Sequence, residues 1–145
     1  MNAHSERLTY SLRMRLIAYA DGASRGNPGP AAYGAVICDT HERELDAWGN
    51  AIGRATNNIA EYHGALAAVE AALELGATEL ELRLDSELIV RQLEGRYRVR
   101  NRSLKPLFEQ LSQLVDRLDA FQPVHVRREF NRRADALANE ALDRS

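Results

Sequence analysis

Four carboxylates stand at positions where chemistry is possible: Asp21, Glu61, Asp85 and Asp135. Leu16 to Ala20 is an apolar run that stops at Asp21-Gly22, the pattern of a buried strand ending in a turn. Asp85 follows Leu80, Leu82 and Leu84, which alternate with Glu79, Glu81 and Arg83 and predict another strand, one face only partly covered. Glu61 falls in the first turn of a long amphipathic helix, and Asp135 in the first turn of the last one. Taken singly, each has an ordinary structural explanation. Asp-Gly is a common turn pair, and Asn58-x-x-Glu61 has the spacing of a capping box with Asn in place of Ser or Thr. Asp85 could cap the helix that follows it, and first-turn acids suit the helix dipole. Taken together, the four would repel and raise one another's pKa values. Divalent cations relieve that repulsion, and hard oxygen donors suit Mg²⁺ or Mn²⁺ rather than zinc. Two such ions about 4 Å apart are the usual arrangement for in-line displacement at phosphorus.

The elements that would position these acids can be read from periodicity. After the first strand, Arg25 to Pro30 is dense in breakers and predicts a loop. Tyr33 to Cys38 reads as a second strand folded back on the first, and Glu44 to Ile52 as a weaker third, with Trp48 as a packing residue. Ile59, Tyr62, Leu66, Val69 and Leu73 form the stripe of an amphipathic helix that Gly76 stops. A short helix over Ser86 to Leu93, another marked by Leu104 to Leu118, a brief strand at Val124-His125-Val126 and a closing helix around Ala134 to Ala141 complete the chain. The order predicts an α/β fold: an antiparallel meander followed by strands joined through right-handed crossovers. If the fourth strand lies beside the first, the winding reverses there. Ligands of open α/β sheets bind at such a switch point, outside the carboxyl ends of the strands, where Asp21 and Asp85 would stand.

Composition sets the outer limits. The chain has 145 residues, 45% of them apolar, which suits one domain with a sizeable core. No apolar run reaches membrane-spanning length, and the polar opening Met1–Met14 predicts a mobile tail on a cytoplasmic protein, with the folded domain over residues 15–145. The single cysteine, Cys38, lies in an apolar run and reads as a core thiol. The net charge is −2, but residues 91–105 carry six basic side chains against Glu94, and residues 127–133 carry four arginines against Glu129. Two basic patches on an otherwise acidic body fit either a phosphate-backbone partner or a solvated face.

Four stretches of the sequence also carry a family resemblance. Asp21-Gly22-Ala23-Ser24-Arg25-Gly26-Asn27-Pro28-Gly29-Pro30-Ala31-Ala32-Tyr33-Gly34 resembles the signature opening of type 1 ribonucleases H. Thr56-Asn57-Asn58-Ile59-Ala60-Glu61, Asp85-Ser86 and Asn131-Arg132-Arg133-Ala134-Asp135-Ala136-Leu137-Ala138 are similar to the second, third and fourth motifs, in the right order from Leu16 to the C-terminus. The resemblance implies a five-stranded mixed sheet flanked by helices, and endonucleolytic hydrolysis of the RNA strand of RNA–DNA hybrids. The products would carry 3′-hydroxyl and 5′-phosphate ends. It implies two Mg²⁺ ions per site, with Mn²⁺ as a possible substitute: Asp21 would bridge both, Glu61 and Asp85 would complete one site, and Asp135 would hold the other.

By the same resemblance, Ser24, Asn27 and Glu61 would lie along the RNA strand, where 2′-hydroxyls distinguish a hybrid from DNA, and Thr56 and Asn57 would contact the backbone. A turn-forming or capping role for Asn27 and Asn57 stays open. Two departures stand out. Many members carry a helix and loop rich in tryptophan and lysine that grips the DNA strand; here Gly95 to Lys105 is short and basic, with Tyr97 its one aromatic, so Arg96, Arg98 and Arg100 are the expected partial substitutes. The loop histidine that many relatives place before the last aspartate is also missing. Arg128, at the start of the shortened loop, is the candidate replacement, ahead of His125 in the last strand. The resemblance further implies a monomer; no obligate protein partner is evident in the sequence, and the lack of a long apolar run predicts no membrane attachment. Other readings are a same-fold nuclease that also cuts double-stranded RNA, and a non-catalytic hybrid-binding module.

Overall fold

The computed structural model describes residues 13–145. Of the tail expected over the first fourteen residues, all but Arg13 and Met14 lie outside the described residues. Met14 is bonded into the sheet's rim: its amide donates to Thr78 Oγ1 at 2.8 Å, and its carbonyl accepts from the Thr78 amide at 2.8 Å and the Glu79 amide at 3.0 Å.

Strands β1 (Arg15–Ser24), β2 (Gly29–Cys38) and β3 (Glu44–Ala55) form the antiparallel meander. Helix α1 (Asn57–Glu74) crosses back to β4 (Glu79–Leu84), which pairs parallel with β1. Helices α2 (Glu87–Leu93) and α3 (Lys105–Val115) lead to β5 (Ala120–His125), parallel to β4. A 3₁₀ turn (Arg128–Phe130) then opens into α4 (Arg132–Arg144). The sheet order is β3-β2-β1-β4-β5, so the winding does reverse between β1 and β4.

Side chains alternate across the sheet, which makes two cores. Ala18, Ala20, Ile37, Leu80, Leu82 and Leu84 face α1, α2 and α3, where Tyr62, Val69, Ile89 and Leu111 meet them. On the other face, Ile17, Val36 and Cys38 pack under Leu137 of α4. Each fully buried leucine such as Leu82 or Leu111, at 0% exposure, contributes about 1.5–3 kcal/mol. The Tyr62 hydroxyl donates to Gln92 Oε1 at 2.5 Å, which satisfies two buried polar groups and ties α1 to α2.

Three local expectations are corrected. The first strand does not end at Asp21-Gly22, and no turn forms there. β1 runs on to Ser24 because β2 continues to pair with it, through Asp21↔Gly34 to Ser24↔Ala31. Glu61 is not in the first turn of its helix and makes no capping box; Thr56 is the N-cap, its Oγ1 accepting from the Ile59 amide at 3.3 Å. Asp85 is not a cap either, since Ser86 takes that role by accepting from the Ile89 amide at 3.3 Å. Each correction removes the ordinary explanation for one acid. Asp135 does lie in the first turn of α4.

Candidate active site

Two close approaches of backbone to backbone assemble the site. A β-carbon on Gly22 would overlap the Ala60 carbonyl carbon and the Glu61 amide, so only glycine lets α1 lie this close to β1. Glu61 is thereby set beside Asp21. On the opposite face, a β-carbon on Gly34, the register partner of Asp21, would overlap the Ala134 carbonyl. That contact brings the first turn of α4, and Asp135, against the same strand pair. Asp85 arrives from the end of β4, beside β1.

The result is a cleft of about 350 Å³ whose lining includes Asp21, Glu61, Asp85, Asp135, Arg128 and Ser24. Carboxylate oxygens of Asp21, Glu61 and Asp85 lie within 4.8 Å of one another, and Asp135 completes the acidic lining from outside that triad. Asp21 is 6% exposed. Burial first, then the charges of Asp85 and Glu61, push its carboxyl up to about 9. Burial and Asp85 raise Glu61 to about 7, against a smaller opposing pull from the Ser86 hydroxyl and Arg128. Among the described residues, Arg128 is the one cation lining the cleft. The structure thus brings all four predicted acids and Arg128 together. His125, exposed at the end of β5, is not among the lining residues.

The residues expected to contact nucleic acid are placed more variously. Ser24 Oγ lies within hydrogen-bonding reach of the Gly26 carbonyl and, at 2.8 Å, the Ala55 carbonyl. Asn27 Oδ1 accepts from the Asn57 amide at 3.0 Å, so the turn-and-cap role does operate for Asn27. Asn57 lines both the acidic cleft and an adjoining polar cleft of about 310 Å³, shared with Asn27 and Thr56. Arg98 and Arg100 line a separate cavity of about 510 Å³ with Lys105 and Phe108, and Arg96 pairs with Glu94 at 3.7 Å. These three arginines therefore lie outside the lining of the acidic cleft.

Sequence reasoning missed four residues. Asn101 and Ser103 complete the polar cleft opposite Thr56, a juxtaposition no local pattern reveals. Asn139 donates to Asp135 Oδ1 at 3.3 Å from one turn along α4, and the i,i+4 spacing was available as a signal. Asn131 donates to Asp85 Oδ2 at 3.3 Å. It stands in the fourth motif, but nothing in its spacing pointed to a residue at the end of β4.

A β3-β2-β1-β4-β5 sheet with acids converging from β1, α1, α4 and the end of β4 defines a ribonuclease H-like fold and site. Comparison with known proteins agrees. A family model described as reverse transcriptase-like matches residues 19–141. The RNase H1 of the halophilic archaeon Halobacterium salinarum is 46% identical and superposes with a TM-score of 0.88 over 90% of this chain and 99% of that one. LC11-RNase H1, solved in complex with an RNA/DNA hybrid, is 42% identical with a TM-score of 0.85, over 89% and 97% of the two chains. The bifunctional protein Rv2228c of Mycobacterium tuberculosis is 45% identical over 131 residues, 90% of this chain; the match spans only 36% of that longer protein. This chain belongs to the type 1 ribonuclease H family. Among the described residues, no helix is long and apolar enough to cross a membrane.

Proposed function

We propose that the chain is an endonuclease that hydrolyses the RNA strand of RNA–DNA hybrids, leaving 3′-hydroxyl and 5′-phosphate ends, with residues 15–145 as its catalytic domain. The observation that carries this reading is the convergence of Asp21, Glu61, Asp85 and Asp135 on one cleft with almost no compensating positive charge. Similarity to LC11-RNase H1, whose structure holds a hybrid, supports the substrate.

The donor set fits hard divalent cations. Its ligand atoms are carboxylate oxygens, three of its acids lie within 4.8 Å of one another, and Asp21 is desolvated enough to disfavour its own charge without a counter-ion. Asp21, Glu61 and Asp85 would hold one Mg²⁺, and Asp21 with Asp135 a second; Mn²⁺ is the natural substitute. When bound, such ions acidify water and stabilise negative charge on phosphoryl oxygens. The protein's own groups do the rest. Gly22 and Gly34 fix the acids through backbone packing. Asn27 Oδ1 is engaged by the Asn57 amide, which leaves its side-chain amide free to donate to the substrate. Thr56 accepts from the Ile59 amide, so its hydroxyl hydrogen remains available for a phosphate oxygen. Ser24 and Glu61 sit at the cleft wall for contact with ribose hydroxyls, which can both donate and accept. Arg128 offers a cation to the departing product phosphate; Arg128→Ala is expected to lower turnover by about tenfold at saturating metal and hybrid, the loss of one charge-assisted contact. Arg96, Arg98 and Arg100 would add salt-sensitive backbone affinity at a distance. Their short segment, with Tyr97 its one aromatic, also favours a second reading in which RNA duplexes are cut as well.

The test presents end-labelled hybrid, RNA duplex and DNA duplex to the wild type and to Asp85→Asn, with Mg²⁺ or Mn²⁺. Internal cuts confined to the RNA of the hybrid, ending in 3′-hydroxyls and lost in the variant, are expected. Cutting of the RNA duplex would broaden the substrate, and hybrid binding without cleavage under either metal would leave a binding module.

A further inference from the structure

Asn131 is 1% exposed and occupies the N-cap position of α4, yet its side chain does not cap that helix. Its Nδ2 donates instead to the Ala20 carbonyl at 2.9 Å and to Asp85 Oδ2 at 3.3 Å. Both partners are acceptors, so the orientation of the amide is fixed: a half-turn would set Oδ1 against two oxygens. The consequence is visible, because Oδ1 is buried with no hydrogen-bond partner. A buried acceptor left unpaired is unfavourable. Stability alone would choose a side chain that accepts from the helix amides here. The backbone of the same residue joins two further parts of the site: its amide donates to the Arg128 carbonyl at 2.9 Å, and its carbonyl accepts from the Asp135 amide at 3.1 Å.

We infer that Asn131 is a positioning residue, which holds Asp85 in one rotamer through a donor that carries no charge. Its second bond, to the residue preceding Asp21, keeps that donor fixed relative to β1. A lysine or arginine in this place would cancel negative charge that a divalent ion needs, and an acid would add repulsion. The neutral amide does neither. With Oδ2 of Asp85 held, its other oxygen remains for a ligand. The inference rests on the reading of Asp85 as a metal ligand.

Asn131→Ser and Asn131→Ala test it, with Mn²⁺ as the probe in calorimetric titrations of the substrate-free protein and with steady-state cleavage of the hybrid. Serine offers the helix an oxygen that can cap it but cannot reach Asp85. Both variants are expected to lose metal affinity and kcat by on the order of 10–100-fold, with KM for the hybrid within about twofold of wild type. In an Asp85→Asn background, Asn131→Ser should leave Mn²⁺ affinity where Asp85→Asn alone puts it. Variants that melt at lower temperature yet bind Mn²⁺ and turn over as wild type would overturn the inference and leave a structural role only. A wild type that binds no Mn²⁺ would overturn the inference and the metal reading of the cleft together.

Discussion

Tyr19 of β1 and Arg83 of β4 are register partners, and two residues further along each stretch of chain stand Asp21 and Asp85. The first pair belongs to a charged cluster in which each carboxylate has a cation partner. Arg83 Nε bonds Glu81 at 2.6 Å, its Nη1 bonds Glu42 at 2.6 Å and also the Tyr19 hydroxyl, and its guanidinium lies 5.2 Å from the Tyr19 ring centre. The Tyr19 hydroxyl, with help from Arg83, holds the Glu42 carboxyl below its usual range. The second pair belongs to a cluster in which acid faces acid, and burial with mutual repulsion drives Asp21 up to about 9 and Glu61 to about 7. The same two strands therefore supply counter-ions at one point and withhold them at the next. On the proposed function, the acids left without such partners are the ones a divalent cation from outside would meet.

The contrast between the clusters is most vulnerable at the packing that holds the acids. Gly22→Ala drives a methyl into the α1 backbone. It should lower stability by about 1–3 kcal/mol. Because it separates Glu61 from Asp21, cleavage should fall by on the order of a hundredfold, measured by denaturant unfolding beside turnover of the hybrid. An active, fully stable variant would show that the close approach is not what sets the site. The compensated cluster should respond more weakly. Arg83→Leu removes its hub and should lower stability by about 1 kcal/mol, since the partners are partly solvated. Turnover of the hybrid should stay at the wild-type value. Loss of activity there would mean that the two clusters are coupled through β1 and β4.

Much of this arrangement is legible in the amino-acid sequence itself. The three-four stripe of α1 and the leucine alternation of β4 are local patterns, and burial of one face turns both into the elements observed. The order of elements predicts a reversal beside β1 on the condition that β4 lies next to it, which it does, and the four acids and Arg128 share a cleft. Where local patterns mislead, the other side of a contact decides. Asp21-Gly22 looks like a turn, but β2 extends the ladder through it, and Gly22 is there for α1 rather than for a bend. The caps fall to Thr56 and Ser86 because each has a hydroxyl placed to accept an amide inside the first turn of its helix. Asn131 bonds Asp85 and Asn101 shares a cleft with Thr56, each partner far away in sequence, so no spacing rule could find them.

Whether the acids of the cleft carry uncompensated charge is read most directly from thermal stability in EDTA against pH, for wild type and Asp21→Asn. Because Asp21 and Glu61 have raised pKa values in the folded protein, that protein binds more protons than the unfolded chain between the ordinary carboxylate range and about 9. Their favourable contribution is thus fully present on the acid side and is lost as pH rises. The wild type should lose stability steadily from about pH 5 to about pH 9, while Asp21→Asn follows a flatter course and is the more stable protein at the alkaline end; Mg²⁺ should restore the wild type far more than the variant. A wild type whose stability is level or rises over that range, with a variant that is less stable throughout, would contradict this and mean that the charge of the cleft is already balanced from within.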